Sequence, residues 1–147
     1  KNQPVLQFIP KVTVPPHEAA LRKLEELRGK KLWQSGKIKE YYTELTDIIR
    51  NYIEVRYKVP ALEQTSPEIL DALTVVADFP GSLKPGLQII LERADMVKFA
   101  KALPVASENE GSMQEAVAFI TKSAFGQPHA LEPVSMQELK EGRPSNG

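Results

Sequence analysis

Between residues 16 and 123 the apolar residues recur at spacings of three and four, the period of one helix face. Ala20, Leu21, Leu24, Leu27 and Leu32 form the first stripe and predict a helix from Pro16 to about Ser35. Proline suits a first turn, where its missing N–H costs little, and Gly36 is read as the stop. The strongest stripe is Ile38, Tyr41, Tyr42, Leu45, Ile48, Ile49, Tyr52 and Ile53, with Lys39, Glu40, Glu44, Asp47, Arg50 and Glu54 opposite. It predicts a second helix over 37–57, roughly 30 Å long, ended by Val59-Pro60. Thr65-Ser66-Pro67-Glu68 is a helix start in which either hydroxyl caps and the acid faces the positive end of the dipole. The third helix then covers 67–77 with Ile69, Leu70, Leu73 and Val76 inward, and Phe79-Pro80-Gly81 turns the chain. A fourth, over 85–102, buries Leu87, Ile90, Leu91, Ala94 and Val97 and is closed by Pro104. The fifth runs from Ser107 to Ser123, with Ser107 capping, Glu110 reaching back, and Met113, Ala116, Val117 and Ile120 inward.

No strand alternates over five or more residues; Val5–Ile9 is the best candidate and stands alone, which argues against a paired sheet. Short loops between amphipathic helices predict an all-α fold, a compact antiparallel bundle of about five helices. Prolines punctuate both ends: Pro4, Pro10, Pro15 and Pro16, then Pro128, Pro133 and Pro144. Residues 1–15 are read as a proline-rich linker, 16–123 as the helical domain and 124–147 as a flexible polar tail with at most a helical turn near 135–141. Trp33, Gly36 and Tyr41 loosely suggest a tetratricopeptide repeat, but the offsets are wrong and no second copy follows.

Composition narrows the function classes more than it names one. The 147 residues suit one domain, and 19 Lys+Arg balance 19 Asp+Glu, which argues against nucleic acid as a partner of the whole chain. With no cysteine there are no disulfides, thiolate metal sites or cysteine nucleophiles. Apolar runs such as Ile89-Ile90-Leu91 are far short of the roughly 20 residues of a membrane span. The first residues lack a signal-peptide core and an initiator Met, and the chain is read as a piece of a longer protein.

Catalytic patterns are scarce. The two histidines, His17 and His129, are too few for a four-ligand zinc site and sit beside no nucleophile elbow. Gly29-Lys30-Lys31 and Gly36-Lys37 lack the earlier glycine, the following Ser or Thr and the preceding strand of a P-loop. Glu40, Glu44, Asp47 and Glu54 share a polar face without the Glu-x-x-His pairing of carboxylate metal bundles. The chain is therefore read as non-catalytic, with no cofactor and no metal.

Three features are candidates for binding. Arg22, Lys23, Arg28, Lys30, Lys31, Lys37 and Lys39 face only Glu25 and Glu26, giving a basic segment over 21–39; it is either a solvated face or a contact for an anionic surface. Trp33, Tyr41, Tyr42, Tyr52 and Tyr57 gather around the first two helices and read first as core. Tyr41 and Tyr42 lie about 100° apart, so one could pack while the other reaches outward. Asp95 and Lys98 form an i,i+3 pair beside Phe99; alternatively Asp95 crosses to Arg50 or Arg56 and fixes the register of two helices.

Three segments together resemble a known family: Lys31-Leu32-Trp33-Gln34-Ser35-Gly36-Lys37-Ile38-Lys39-Glu40-Tyr41-Tyr42, Pro60-Ala61-Leu62-Glu63-Gln64-Thr65-Ser66-Pro67-Glu68-Ile69, and Ala94-Asp95-Met96-Val97-Lys98-Phe99-Ala100-Lys101. In order and spacing they are similar to the cytoplasmic C-terminal domain of bacterial Bat-type (BatD-like) aerotolerance membrane proteins and their small single-pass relatives, over residues 17–123. The resemblance implies a membrane anchor ahead of this domain, a place on the cytoplasmic side of the inner membrane, and neighbours that are MoxR-type AAA+ ATPases and von Willebrand factor A proteins. It transfers no catalytic residue.

Two functions follow. One is a protein-interaction domain docking such an ATPase or von Willebrand A partner in envelope stress or oxygen tolerance, with Lys37, Tyr42, Asp95, Lys98 and Lys101 as candidate partner contacts. The other is electrostatic binding of anionic lipid or nucleic acid through the 21–39 segment.

Overall fold

The computed structural model describes residues 14–125, and the linker, strand and tail readings for residues 1–13 and 126–147 lie outside it. Five α-helices follow one another: α1 (Pro16–Gly29), α2 (Ile38–Tyr57), α3 (Ser66–Thr74), α4 (Lys84–Ala100) and α5 (Ala106–Ser123). Two 3-10 turns, Ala61–Glu63 and Gly81–Leu83, lead into α3 and α4. The described residues contain no strand, and the fold is an all-α bundle.

The bundle is organised around α2, because its apolar stripe is the widest. Tyr41, Tyr42, Leu45, Ile49, Tyr52, Ile53 and Tyr57 are all buried. Against them pack Leu24 and Leu27 of α1, Leu87, Ile90, Leu91 and Ala94 of α4, and Met113, Ala116, Phe119 and Ile120 of α5. Helix α1 runs antiparallel to α2: Lys30 meets Glu44 at one end, and Pro16 and Ala20 share a hollow with Tyr52 and Val55 at the other. Helix α5 instead runs parallel to α2, with Asn109 beside Tyr42 and Ser123 beside Tyr52. Successive long helices are thus antiparallel, as expected, and α2 and α5 are parallel because two reversals separate them. The segment from residue 58 to 83 stays at the C-terminal end of α2, where Asp78 pairs with Arg56, and α4 carries the chain back with Lys98 beside Thr46, so α5, antiparallel to α4, runs parallel to α2.

Several boundaries move. Helix α1 ends at Gly29, not Ser35, and Lys31 takes a left-handed φ of 53°. Glycine is a poor helix residue, and the bend lets Leu32 and Trp33 reach the core from a turn instead of continuing along α1. Gly36 does adopt φ 83°, and Lys37 N–H closes the turn on the Leu32 carbonyl at 2.8 Å. Helix α3 stops at Thr74, whose hydroxyl bonds back to the Leu70 carbonyl at 2.9 Å. Its start is a full capping box: Thr65 Oγ1 accepts Glu68 N–H at 3.3 Å and the Glu68 carboxylate accepts Thr65 N–H at 2.9 Å.

The cap of α5 also differs from Ser107 and Glu110. Val105 precedes the helix, its N–H donates to Glu108 Oε1 at 3.0 Å, and its carbonyl accepts Glu108 N–H at 2.9 Å. Valine has no side-chain acceptor, so the carboxylate supplies half of a box. Helices α2 and α4 end on left-handed lysines, Lys58 and Lys101, and Ala102 N–H reaches the Met96 carbonyl at 3.0 Å, a six-to-one closure.

Candidate functional site

Helix α4 is apolar on two sides. At about 100° per residue, Leu87, Ile90, Leu91, Ala94 and Val97 point into the bundle, whereas Ile89, Met96 and Phe99 share the opposite side. Met96 is 54% exposed and Phe99 79%. The outer stripe is thus an exposed apolar surface interrupted by Glu92, of the kind that marks interaction sites on folded proteins.

Two hollows flank that stripe and meet at Met96. The larger, about 620 Å³, is walled by Leu62, Glu63, Gln64, Thr65 and Ser66 on one side and by Arg50, Asp95, Met96, Phe99 and Ala100 on the other. That volume is within the range of ligand-binding clefts. The second, about 460 Å³, lies between Ile89, Glu92, Arg93 and Met96 and the strand-free segment Ala102-Leu103-Pro104 with Glu108. Leu62 and Leu103 add exposed apolar surface to the two walls.

The larger hollow also collects unsatisfied polar atoms. Arg50 Nε, Gln64 Oε1 and Ser66 Oγ are buried without a hydrogen-bond partner, and all three residues line it. Ser66 is only 3% exposed. Buried polar groups are nearly always paired, and these three atoms are sealed from the hollow by their neighbours.

The candidate contacts read from the sequence fall in different places. Asp95 lines the larger hollow and forms no ion pair among the described residues: neither Lys98 nor Arg50 nor Arg56 lies within salt-bridge distance. The expected cross-helix bridge is replaced by Arg56 with Asp78 at 3.2 Å, where the Arg56 Nε also donates to the Ser123 carbonyl. Lys98 donates to Thr46 Oγ1 at 3.2 Å. Burial and the neighbouring Arg50 charge hold its ammonium below the usual lysine range, against the opposing pull of Asp95 and Asp47. Lys101 is exposed at the C-terminal cap of α4, and Lys37 is exposed before α2, apart from the two hollows.

Tyr42 is withdrawn as a surface contact. It is 0% exposed, and Tyr41 is buried too, so neither tyrosine reaches outward. The Tyr42 hydroxyl donates to Asn109 Oδ1 at 2.8 Å and lies 3.2 Å from Ser112 Oγ, while Tyr41 donates to the Asn109 carbonyl at 2.8 Å. Burial raises both phenol pKa values above the ordinary range. The 100° between adjacent residues falls inside one wide buried stripe, because α2 is covered by three helices.

Within the basic segment, Lys30 pairs with Glu44 at 2.8 Å and Arg28 with Glu25 at 3.0 Å. Arg22, Lys23, Lys31, Lys37 and Lys39 are exposed and form no ion pair among the described residues. No three His, Asp or Glu side chains converge as metal ligands among the described residues, and none of the described helices is long and apolar enough to cross a membrane.

Sequence reading missed Leu62, Met96 and the orphaned Gln64 and Ser66 as site residues. The signal for the outer stripe was present, since Ile89, Met96 and Phe99 recur at seven and three. The larger hollow was not legible, because its walls at 62–66 and 95–100 are some thirty residues apart in sequence, and the smaller forms only where the chain folds back between α4 and α5. No family model, curated protein or solved structure matches this chain.

Proposed function

We propose that this chain is a non-catalytic protein-interaction domain of a membrane-anchored bacterial protein, acting on the cytoplasmic side of the inner membrane. Its partner is a MoxR-type AAA+ ATPase or a von Willebrand A protein, in a role in envelope stress or oxygen tolerance. The resemblance of the Lys31–Tyr42, Pro60–Ile69 and Ala94–Lys101 segments to Bat-type proteins supplies the partner class. The observation that carries the docking reading is the uncovered apolar face of α4, where Met96 and Phe99 stand between two hollows. Such anchors dominate protein interfaces when a partner buries them.

The test is capture of the purified ATPase and the purified von Willebrand A protein on the immobilised full chain, with and without ATP. Wild type is expected to retain one of them, and Met96→Asp and Phe99→Asp to lose it by tenfold or more while melting like wild type. Failure to retain either, or equal retention by both variants, refutes the reading.

A second reading is favoured by the five exposed cations of the 21–39 segment that form no ion pair among the described residues. It makes the domain an electrostatic binder of anionic lipid or nucleic acid. Binding to anionic vesicles or nucleic acid should then fall steeply as salt rises. Salt-independent binding, or none at low salt, sinks it.

A further inference from the structure

The outer face of α4 carries a charge pattern as well as an apolar one. Glu92 sits in the same stripe as Met96 and Phe99, Glu63 and Asp95 edge the larger hollow, and Glu108 edges the smaller. Only two cations line these hollows. The Arg93 guanidinium donates to two neutral acceptors, the Glu108 carbonyl at 3.0 Å and Ser112 Oγ at 2.9 Å, and keeps its charge, as does the half-buried Arg50, so four carboxylates face two cations. Of the four carboxylates none forms an ion pair among the described residues. Two of them, Glu92 and Glu108, take a neutral partner, the Gln88 amide at 2.7 Å and the Val105 N–H at 3.0 Å.

We infer that the α4 face binds an amphipathic, cationic segment of a partner protein, which inserts apolar side chains on both sides of Met96 and places Lys or Arg against Glu63, Glu92 and Asp95. This deepens the docking reading and rests on it. Apolar anchors supply the affinity, and the acidic rim selects the sign of the flanking charge. An acidic segment would instead place like charges against four carboxylates, so the rim rejects as well as attracts.

The experiment uses the full chain and two synthetic helical peptides of about five turns with the same Leu stripe, one filled with Lys and the other with Glu. Affinity is read by fluorescence anisotropy and location by amide chemical shifts. The Lys peptide is expected to bind at least about tenfold more tightly at moderate salt, with shifts gathered at 62–66, 92–100 and 102–104. Met96→Asp should abolish binding without lowering the melting temperature. The double variant Glu63→Lys/Glu92→Lys should reverse the peptide preference while leaving the fold intact. Equal or tighter binding of the Glu peptide, shifts confined to other surfaces, or indifference to Met96→Asp overturns the proposal. So does a dimer of the chain alone that Met96→Asp dissolves, since a second copy would then be the occupant. The two proposals fail separately. Partner capture through Met96 without the charge preference overturns only the cationic occupant. The charge preference without capture of either purified partner overturns only the docking reading.

Discussion

Tyr42→Phe isolates one hydroxyl in the centre of the bundle. Its oxygen donates to Asn109 Oδ1 at 2.8 Å and lies 3.2 Å from Ser112 Oγ, and all three residues are buried. The ring stays, so packing against Tyr41 at 5.0 Å and the neighbouring aliphatic side chains is kept. Ser112 also keeps its bond from Arg93. What changes is Asn109 Oδ1, which loses its donor in a site that water does not reach. Stranding a buried acceptor costs about 1–3 kcal/mol, more than the net worth of an exposed hydrogen bond. At about 4 °C per kcal/mol for a domain of this size, a cost near 2 kcal/mol lowers the melting temperature by about 8 °C. Circular dichroism melts, with a urea titration of unchanged slope, measure it. A shift under about 2 °C would refute the claim that this contact ties α2 to α5. Tyr57→Phe is the internal comparison. Its hydroxyl reaches the Ser123 carbonyl only at 3.4 Å, so its loss should cost less.

Alkaline pH should unfold the domain in a defined window. Burial raises the phenols of Tyr41, Tyr42 and Tyr52, and pushes Tyr57 up to about 12, above the ordinary value of 10.0. The unfolded chain releases these protons first, so stability is intact below pH 10, declines between about 10 and 12, and is lost through the folded values; a flat urea midpoint across that window contradicts the burial of these rings. Gly36→Ala should destabilise by about 1 kcal/mol, since a left-handed φ of 83° is cheap only for glycine, with the urea midpoint as readout. Gly86→Ala should do the reverse by up to about 1 kcal/mol: its Cβ would meet only Glu115 Oε1 at 2.5 Å, the free end of a flexible side chain, while the helix gains alanine's propensity. Lys98→Met should leave stability equal or slightly higher, because the fold holds that ammonium below its usual range; a loss above about 1 kcal/mol would mean that its bond to Thr46 outweighs the desolvation.

The helices and their inward faces were determined by the sequence. Apolar spacing is a local property, and the stripes of α2 and α4 bury the residues that the spacing picks out, with Ile38 and Ile48 only partly covered. Local signals also narrowed the α3 cap to Thr65 or Ser66, of which the fold uses Thr65, and marked Gly36 as a break, although α1 ends earlier, at Gly29. Three things were decided only when helices met. Leu32 and Trp33 join the core from a bend, because α1 and α2 must close on each other across a short connection. Tyr42 turns out to be interior, because whether a position 100° from its neighbour is wet depends on how many helices cover that face. Asp95 forms no ion pair among the described residues, beside Arg50, Gln64 and Ser66, each with one buried atom that has no partner there. Its partner could not be read from spacing, since a cleft exists only where residues distant in the chain are brought side by side.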